Sequence, residues 1–256
     1  MQKLAFVLLF ILAAVLPGTG RLTAQANIVV ATDATWPPME FIAEDGSVAG
    51  FDVELLTEAA RAGGFQVTFL NVAWDGIFEG LLSGKYDAVA SSVTITSSRQ
   101  EVMDFSAAYI NAGQMLVVSS DEDPNAGLAN LNGKAIGAQI GTTGESVVRG
   151  FPSVRLRGYD DIDKAFADLA LGKLSGVVVD LPLAVQYANR DSRYQGRFRM
   201  AGKLLNVEEY GVAVRKGNLA VLDLINKGLT AVFQSDVYAS LFEKWLDTRG
   251  MVNASR

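Results

Sequence analysis

One carboxylate stands where an α/β sheet could use it to hold a ligand. Asp180 directly follows the apolar segment Gly-Val-Val-Val at 176–179, which is typical of a buried strand. Open α/β sheets bind ligands beyond the carboxyl ends of their strands, so Asp180 could face a positively charged group. The alternative is that Asp180 caps the helix predicted to begin at Leu181-Pro182.

A guanidinium in the other half of the chain is the matching candidate for a negatively charged group. Arg99 could bind a carboxylate through two parallel hydrogen bonds, whereas a lysine offers only a point charge. A lone arginine is most often a solvated surface residue, so Arg99 by itself is only a candidate.

The chain of 256 residues contains no histidine and no cysteine. This excludes Ser-His and Cys-His nucleophile pairs, the commonest ligand of catalytic zinc, and any disulfide or lipid-bearing thiol. Most hydrolase mechanisms are therefore excluded, and we predict neither a metal nor a cofactor. An oxidising compartment is allowed but not required.

The N-terminus has the pattern of an export signal. Lys3 precedes an apolar run at 4–16, Pro17-Gly18 breaks it, and Ala24-Gln25-Ala26 offers a small-x-small cleavage site. The run is shorter than the roughly 20 residues that a membrane-spanning helix needs. We therefore predict a signal peptide at residues 1–26, cleaved near Ala26, and a periplasmic mature protein.

The charge of the mature chain is acidic. Cleavage would remove Lys3 and Arg21, so that 22 basic residues become 20 against 28 acidic ones and the net charge becomes −8. An acidic surface argues against nucleic acid as a partner.

Predicted strands and helices alternate along the chain, which favours an α/β fold. A helix is predicted from Asp52, which would cap it, with one apolar face and an end at Gly63-Gly64. Strands are predicted at 27–32, 65–70, 86–91, 134–139, 154–156 and 176–179, and further helices at 77–82, from 145, and at 161–171.

The two halves look like similar lobes connected twice. Extended apolar segments at 115–119 and 210–214 would carry the chain from one lobe to the other and back. Two crossings indicate a hinge. The predicted boundaries are lobe 1 at 27–115 and 212–256, lobe 2 at 119–208, and hinge crossings at 116–118 and 209–211.

Five short motifs in order resemble the polar amino-acid-binding proteins of bacterial ABC importers, which are extracellular solute-binding proteins of family 3. Each motif alone is weak, but together they span the mature chain at the family spacing. They are Gly50-Phe51-Asp52-Val53-Glu54-Leu55, the segment Ser-Ser-Val-Thr-Ile-Thr-Ser-Ser-Arg at 91–99, Met103-Asp104-Phe105-Ser106, Gly141-Thr142-Thr143-Gly144 and Tyr210-Gly211-Val212.

The resemblance implies an α/β, two-lobed periplasmic-binding-protein-like fold with two hinge strands (type II). It also implies that Arg99 in lobe 1 binds the carboxylate of an amino acid and that Asp180 in lobe 2 binds its ammonium. Closure of the two lobes on one zwitterion would then be the binding event. Hydroxyl and backbone contacts are expected from Ser91, Ser92, Thr94, Thr142 and Thr143, although ordinary loop and cap roles are the alternative for these residues.

Two aromatic residues match positions where the family places rings against the ligand side chain. Trp36, in a proline-flanked loop, and Trp74 are expected to line the pocket rather than the core. Gln139 stands where glutamine-specific relatives have a lysine, which argues against a strict glutamine pocket. Asp33 could pair with a cationic side chain or could stabilise its own loop. These residues favour a basic or polar L-amino acid.

Two other functions are compatible with the same fold. Dehydratases acting on prephenate or arogenate resemble this family, and a glutamate near the position of Glu208 would supply a proton there. A sensor module would carry further domains. We expect a receptor, not an enzyme, that is monomeric and delivers its amino acid to the membrane permease of an ABC importer.

Overall fold

The structure is a computed structural model that describes residues 25–246. The predicted cleavage site near Ala26 is at its edge, and residues 1–24 of the predicted signal peptide and the segment 247–256 lie outside the described residues. Within residues 25–246, no helix is long and apolar enough to cross a membrane.

The described residues form fifteen strands. They are β1 Asn27–Thr32, β2 Thr35–Trp36, β3 Glu40–Ile42, β4 Val48–Ala49, β5 Gln66–Asn71, β6 Ala88–Val89, β7 Met103–Phe105, β8 Ile110–Ala112, β9 Gln114–Ser119, β10 Ala135–Gln139, β11 Arg155–Tyr159, β12 Gly176–Asp180, β13 Phe198–Ala201, β14 Glu208–Tyr210 and β15 Ala213–Arg215.

Eight α-helices alternate with these strands in the same part of the chain. They are α1 Phe51–Gly63, α2 Ile77–Leu82, α3 Ser97–Val102, α4 Thr143–Arg149, α5 Ile162–Ala170, α6 Leu181–Val185, α7 Leu219–Phe233 and α8 Asp236–Trp245. Short 3-10 turns lie at Leu128–Asn130 and Ser192–Tyr194, and α6 runs into a π-helical turn at Gln186–Arg190.

Two five-stranded sheets define the two lobes. The first has the order β5-β1-β6-β15-β7 and the second the order β11-β10-β12-β9-β13. In each sheet three neighbouring strands are parallel and the fourth strand is antiparallel to both of its neighbours. Strand β12 is buried along its whole length, as expected for a parallel strand covered on both faces.

The chain passes between the sheets through a short antiparallel ribbon. Strand β8 pairs with β14, with Glu208 opposite Ala112 and Tyr210 opposite Ile110. The prediction of a first crossing at 116–118 is wrong, because these residues lie inside β9 and pair with β12 and β13 in the second sheet. Lobe 2 therefore begins at β9, not at residue 119. An apolar extended segment fits either role, and only its pairing partners distinguish the two.

Helix α1 has the predicted apolar face but not the predicted cap. Its N-cap is Gly50 at φ 131°, where an added Cβ would stand 2.2 Å from the carbonyl oxygen of Met39. Asp52, predicted as the cap, is buried and faces inward, where its carboxylate accepts hydrogen bonds from the Ser92 backbone and the Tyr109 hydroxyl.

Lobe 1 carries the two C-terminal helices. Helix α7 crosses α1 so closely that a Cβ on Gly228 would lie 2.1 Å from the carbonyl oxygen of Ala59. Ile225, Leu229 and Leu241 are buried in the same hydrophobic core. Helices α7 and α8 thus pack against α1 of lobe 1.

Candidate functional site

A cavity between the lobes is lined by every residue that the sequence singled out as a ligand contact. A twelfth residue, Glu40, also lines it and was not predicted. The predicted lining residues are Asp33, Trp36, Trp74, Ser91, Ser92, Thr94, Arg99, Gln139, Thr142, Thr143 and Asp180.

Strand ends position most of these side chains. Asp33 follows β1, Ser91 lies just after β6, and Gln139 and Asp180 are the last residues of β10 and β12. These are the carboxyl ends of the central parallel strands in both sheets, the edge where α/β sheets bind ligands. The two sheets therefore face each other across the cavity through the carboxyl ends of their parallel strands.

Arg99 is held at the cavity by its own loop and by aromatic rings. The Thr96 hydroxyl caps α3 by accepting a hydrogen bond from the Arg99 backbone N–H. The guanidinium donates to the carbonyl oxygens of Thr94 at 2.8 Å and Gly141 at 3.3 Å, and its carbon lies 5.4 Å from the Trp74 ring centroid and 5.0 Å from that of Phe78. Burial lowers the pKa of Arg99, and the charges of Asp180 and Glu208 oppose that effect.

Asp180 is a buried acceptor, not a helix cap. Its Oδ1 accepts hydrogen bonds from the Gln114 amide at 2.9 Å and the Tyr210 hydroxyl at 2.6 Å, and its side chain makes no capping bond to α6. Burial raises the pKa of Asp180 to about 7, and the negative charge of Glu208 adds to the rise.

Asp33 stabilises its own loop, which was one of the two roles that the sequence left open, and it also lines the cavity. Its carboxylate accepts from the Thr35 hydroxyl and the Trp74 backbone N–H at 3.0 and 3.1 Å, which fixes two loops, and it still lines the cavity. Burial raises the pKa of Asp33, since the charged form loses its water.

The two tryptophans differ in their surroundings. Trp36 lines the cavity and is also part of the main hydrophobic core, so the expectation of a pocket residue outside the core is only half right. Trp74 is half-buried, and its ring meets that of Phe78 edge to face at 5.1 Å.

The lobe 2 loop after β10 is built by threonine capping. The Thr142 hydroxyl caps α4 by accepting a hydrogen bond from the Glu145 backbone N–H. The Glu145 carboxylate in turn accepts a hydrogen bond from the Gly141 backbone N–H. Gln139 donates to the Asp160 carbonyl, while its buried Oε1 has no hydrogen-bond partner within the described structure.

Glu40 forms the floor of the cavity on the lobe 1 side. It is fully buried and accepts hydrogen bonds from the hydroxyls of Ser91 at 3.1 Å and Ser92 at 3.3 Å. The sequence signal was a lone glutamate in the loop that also holds Trp36, three residues after Pro37. Only the fold shows that this loop bends back under the Ser91-Ser92 turn.

Glu208 connects the two lobes beside the cavity. Its Oε2 accepts from the hydroxyls of Thr94 in lobe 1 and Thr143 in lobe 2, both at 2.8 Å, and from the Gln114 amide. Its Oε1 accepts from the Asn206 amide. The lobes therefore touch across the cleft in this structure, in a closed arrangement.

Comparison with known proteins gives the family. The model of the bacterial extracellular solute-binding proteins, family 3, matches residues 28–248. The chain belongs to that family. The predicted family, the two-lobed α/β fold and the solute-binding role are thereby confirmed.

Individual members of family 3 show how close the similarity is. The L-cystine-binding protein TcyJ of Escherichia coli K12 is 30% identical over 227 residues, covering 88% of this chain and 84% of that protein. An ancestral arginine-binding protein bound to arginine is 35% identical with a TM-score of 0.81, covering 87% of this chain and 99% of that one. An ancestral amino-acid-binding protein, a precursor of cyclohexadienyl dehydratase, is 30% identical with a TM-score of 0.79, covering 87% and 96%.

Proposed function

We propose that this protein captures a basic L-amino acid in the periplasm and delivers it to an ABC importer. The observation that carries the proposal is the charge of the cavity lining, where Arg99 faces the three carboxyl groups of Asp33, Glu40 and Asp180. A neutral amino acid would match one positive and one negative group. A basic amino acid also matches the acidic groups that remain.

The zwitterionic end of the ligand fits the charges of Arg99 in lobe 1 and Asp180 in lobe 2. Arg99 donates one N–H to the Thr94 carbonyl and one to the Gly141 carbonyl. Its remaining guanidinium N–H groups could therefore bind an α-carboxylate. Asp180, fixed by Tyr210 and Gln114, would accept the α-ammonium. Such a ligand contacts both lobes, so its binding energy favours the closed state.

The side chain of the ligand would lie between the tryptophans and reach the acidic floor. Indole faces suit a guanidinium or an aliphatic stem, because the ring face is negatively polarised and apolar. Asp33 and Glu40 lie on the lobe 1 side of the same cavity and would face the positive end.

The family and the predicted export signal support delivery to a permease. A receptor that closes on its ligand presents a different surface when loaded, which gives a membrane permease a means of recognising the loaded form. We propose that it acts as a monomer, without a cofactor and without nucleic acid.

The dehydratase alternative requires a glutamate that donates a proton to the substrate, and the contacts of Glu208 do not favour that role. Glu208 does not line the cavity, and its two oxygens already accept four hydrogen bonds from hydroxyl and amide groups. A general acid must point a proton at its substrate. Glu208 instead has the contacts of a structural acceptor between the lobes.

A thermal-shift screen tests the proposal. The mature protein, stripped of ligand by unfolding and refolding, is tested with the twenty L-amino acids, ornithine, citrulline, prephenate and arogenate. We expect the largest rise in Tm with arginine, lysine, ornithine or histidine, because ligand that binds only the folded state stabilises it. A larger rise with a neutral amino acid would contradict the basic class. Consumption of prephenate or arogenate would contradict the receptor function.

A further inference from the structure

Two buried carboxyl groups are bridged by Ser92 beneath the cavity floor. Glu40 is 0% exposed and Asp52 is 2% exposed, and Ser92 donates its hydroxyl to Glu40 and its backbone N–H to Asp52. Glu40 lines the cavity, whereas Asp52 lies behind it. We call these two residues the carboxyl pair.

The donors around the carboxyl pair satisfy all but one of its oxygens. The hydroxyls of Ser91 and Ser92 donate to the two oxygens of Glu40. The Ser92 backbone N–H at 2.8 Å and the Tyr109 hydroxyl at 2.6 Å both donate to Asp52 Oδ2. Asp52 Oδ1 is buried without a donor from any other described group. Ser92 holds its N–H there from a φ of 49°, a conformation rare outside glycine.

The charged and titratable groups that face the carboxyl pair are acidic or neutral. Asp33, after β1, adds a negative charge next to Glu40, and Tyr109, before β8, faces Asp52. Tyr238 of α8 donates to the Tyr109 carbonyl and so faces the same group. Within the described structure, no lysine or arginine forms a salt bridge with either carboxyl.

Two buried carboxyls bridged by one serine keep one proton between them in this environment. Both cannot be ionised at once without a nearby cation, because burial and mutual repulsion oppose it. Burial raises the pKa of Asp52 to about 6. Burial and the charge of Asp52 raise the pKa of Glu40 well above its ordinary value. The orphaned Asp52 Oδ1 is where the shared proton would be placed.

We propose that Glu40, paired with Asp52, selects a positively charged ligand side chain by exchanging the shared proton for it. The inference rests on the proposed function. When a cationic group reaches the floor, the O–H bond of the pair breaks and the proton goes to solvent. The pair changes from one negative charge to two, and the ligand brings one positive charge, so the charge of the floor is conserved.

A neutral side chain of the same shape cannot drive this exchange. Its polar end can accept or donate hydrogen bonds, but it brings no charge to replace the proton. The ionisation of Asp180 on binding an ammonium is common to every amino acid and therefore cancels between two ligands. The difference in proton release between a cationic ligand and its neutral analogue therefore reports on the acids at the floor, and variants of Glu40 and Asp52 assign it to the carboxyl pair rather than to Asp33.

Titration calorimetry at pH 7 in two buffers of different ionisation enthalpy measures that difference. Arginine is compared with citrulline, and lysine with norleucine. We expect each bound cationic ligand to release about one proton more than its analogue, and its relative affinity to rise up to about tenfold per pH unit between pH 6 and 8. Equal proton release within each pair of ligands would overturn the inference. Absence of binding by all four would overturn the proposed function itself.

Two isosteric variants separate proton exchange from simple packing. In Glu40→Gln the floor cannot ionise, so we expect the extra proton and the preference for the cationic ligand to be lost together. In Asp52→Asn the amide can donate to Glu40 and keep it ionised, so the preference should remain while the extra proton disappears. If both variants keep the extra proton, the carboxyl pair has only a structural role.

Discussion

The two lobes have the same strand arrangement but contribute different chemistry to the cavity. Lobe 1 supplies Arg99, both tryptophans and the acids Asp33 and Glu40. Lobe 2 supplies one acid, Asp180, with an amide and two threonine hydroxyls. Equivalent strand ends thus carry unrelated side chains. The sheets determine where a ligand can lie, and the side chains of lobe 1 determine most of the ligand's chemical class.

The shared arrangement is also reached by different routes along the chain. In lobe 2 the fourth strand, β9, is the segment that has just crossed, while in lobe 1 it is β15, the segment that returns. The strand after the first crossing therefore completes the sheet of lobe 2, and the strand after the second crossing completes the sheet of lobe 1.

We expect Arg99→Ala to reduce ligand affinity the most, because it removes the cationic group that lobe 1 offers to a carboxylate. Two charge-assisted hydrogen bonds would be lost, so we expect affinity for the best ligand to fall at least about 100-fold while the fold is kept. Calorimetry measures the affinity and circular dichroism the fold. The exposed Arg61→Ala on α1 is the matched control. Unchanged affinity in Arg99→Ala would remove this residue from the site.

Asp180→Asn tests the single acid of lobe 2 through its pH dependence. A pKa of about 7 in the folded protein lies above the ordinary value of 3.8, so this group stabilises the fold fully below that ordinary value, and the contribution is lost as the pH rises through about 7. We expect the free energy of unfolding of the ligand-free protein to fall by about 2 to 3 kcal/mol between pH 5 and 8 from this group.

Denaturant unfolding at several pH values measures that slope. Asp180→Asn should flatten it, leaving the part that the carboxyl pair contributes, while the exposed Asp223→Asn should leave it unchanged. Parallel pH profiles for wild type and Asp180→Asn would show that Asp180 is not the titrating group.

Gly228→Ala tests the helices that lobe 1 has and lobe 2 lacks. The new Cβ would lie 2.1 Å from the Ala59 carbonyl oxygen, so α7 must move away from α1. We expect the variant to lose about 1 to 3 kcal/mol of unfolding free energy with little change in ligand affinity. Chemical denaturation compares it with Gly127→Ala, where the nearest atom is 3.6 Å away. A loss of affinity with full stability would contradict this division of roles.

Glu208→Gln has the smallest expected effect and concerns what joins the lobes. The carboxylate accepts hydroxyl hydrogen bonds from Thr94 and Thr143, one from each lobe, and an amide in its place would weaken the closed form. We expect ligand affinity to fall about 2- to 10-fold. Small-angle scattering of the ligand-free variant should show a larger radius of gyration than wild type. Glu209→Gln, on the exposed side of the same ribbon, is the control, and equal affinities in the two variants would contradict the role of Glu208.

The sequence by itself determined the local elements and much of the site. Apolar strands such as 176–179 and capping residues such as Thr142 act through near neighbours, so their structure is readable from the residues around them. The lining residues could be named because their motifs resemble those of a known family. A family resemblance predicts which positions line the site, including Arg99 and Asp180, even when the contacts of those residues are not known.

Only the tertiary structure decided which distant groups meet. Whether 116–118 is a hinge or a sheet strand depends on its pairing with β12 and β13, which no local pattern records. Asp52 has the sequence context of a helix cap, yet the fold turns it toward Glu40 and Tyr109. Burial, mutual repulsion and hydrogen bonding between residues far apart in the chain set the charge of the cavity, and these appear only when the chain is folded.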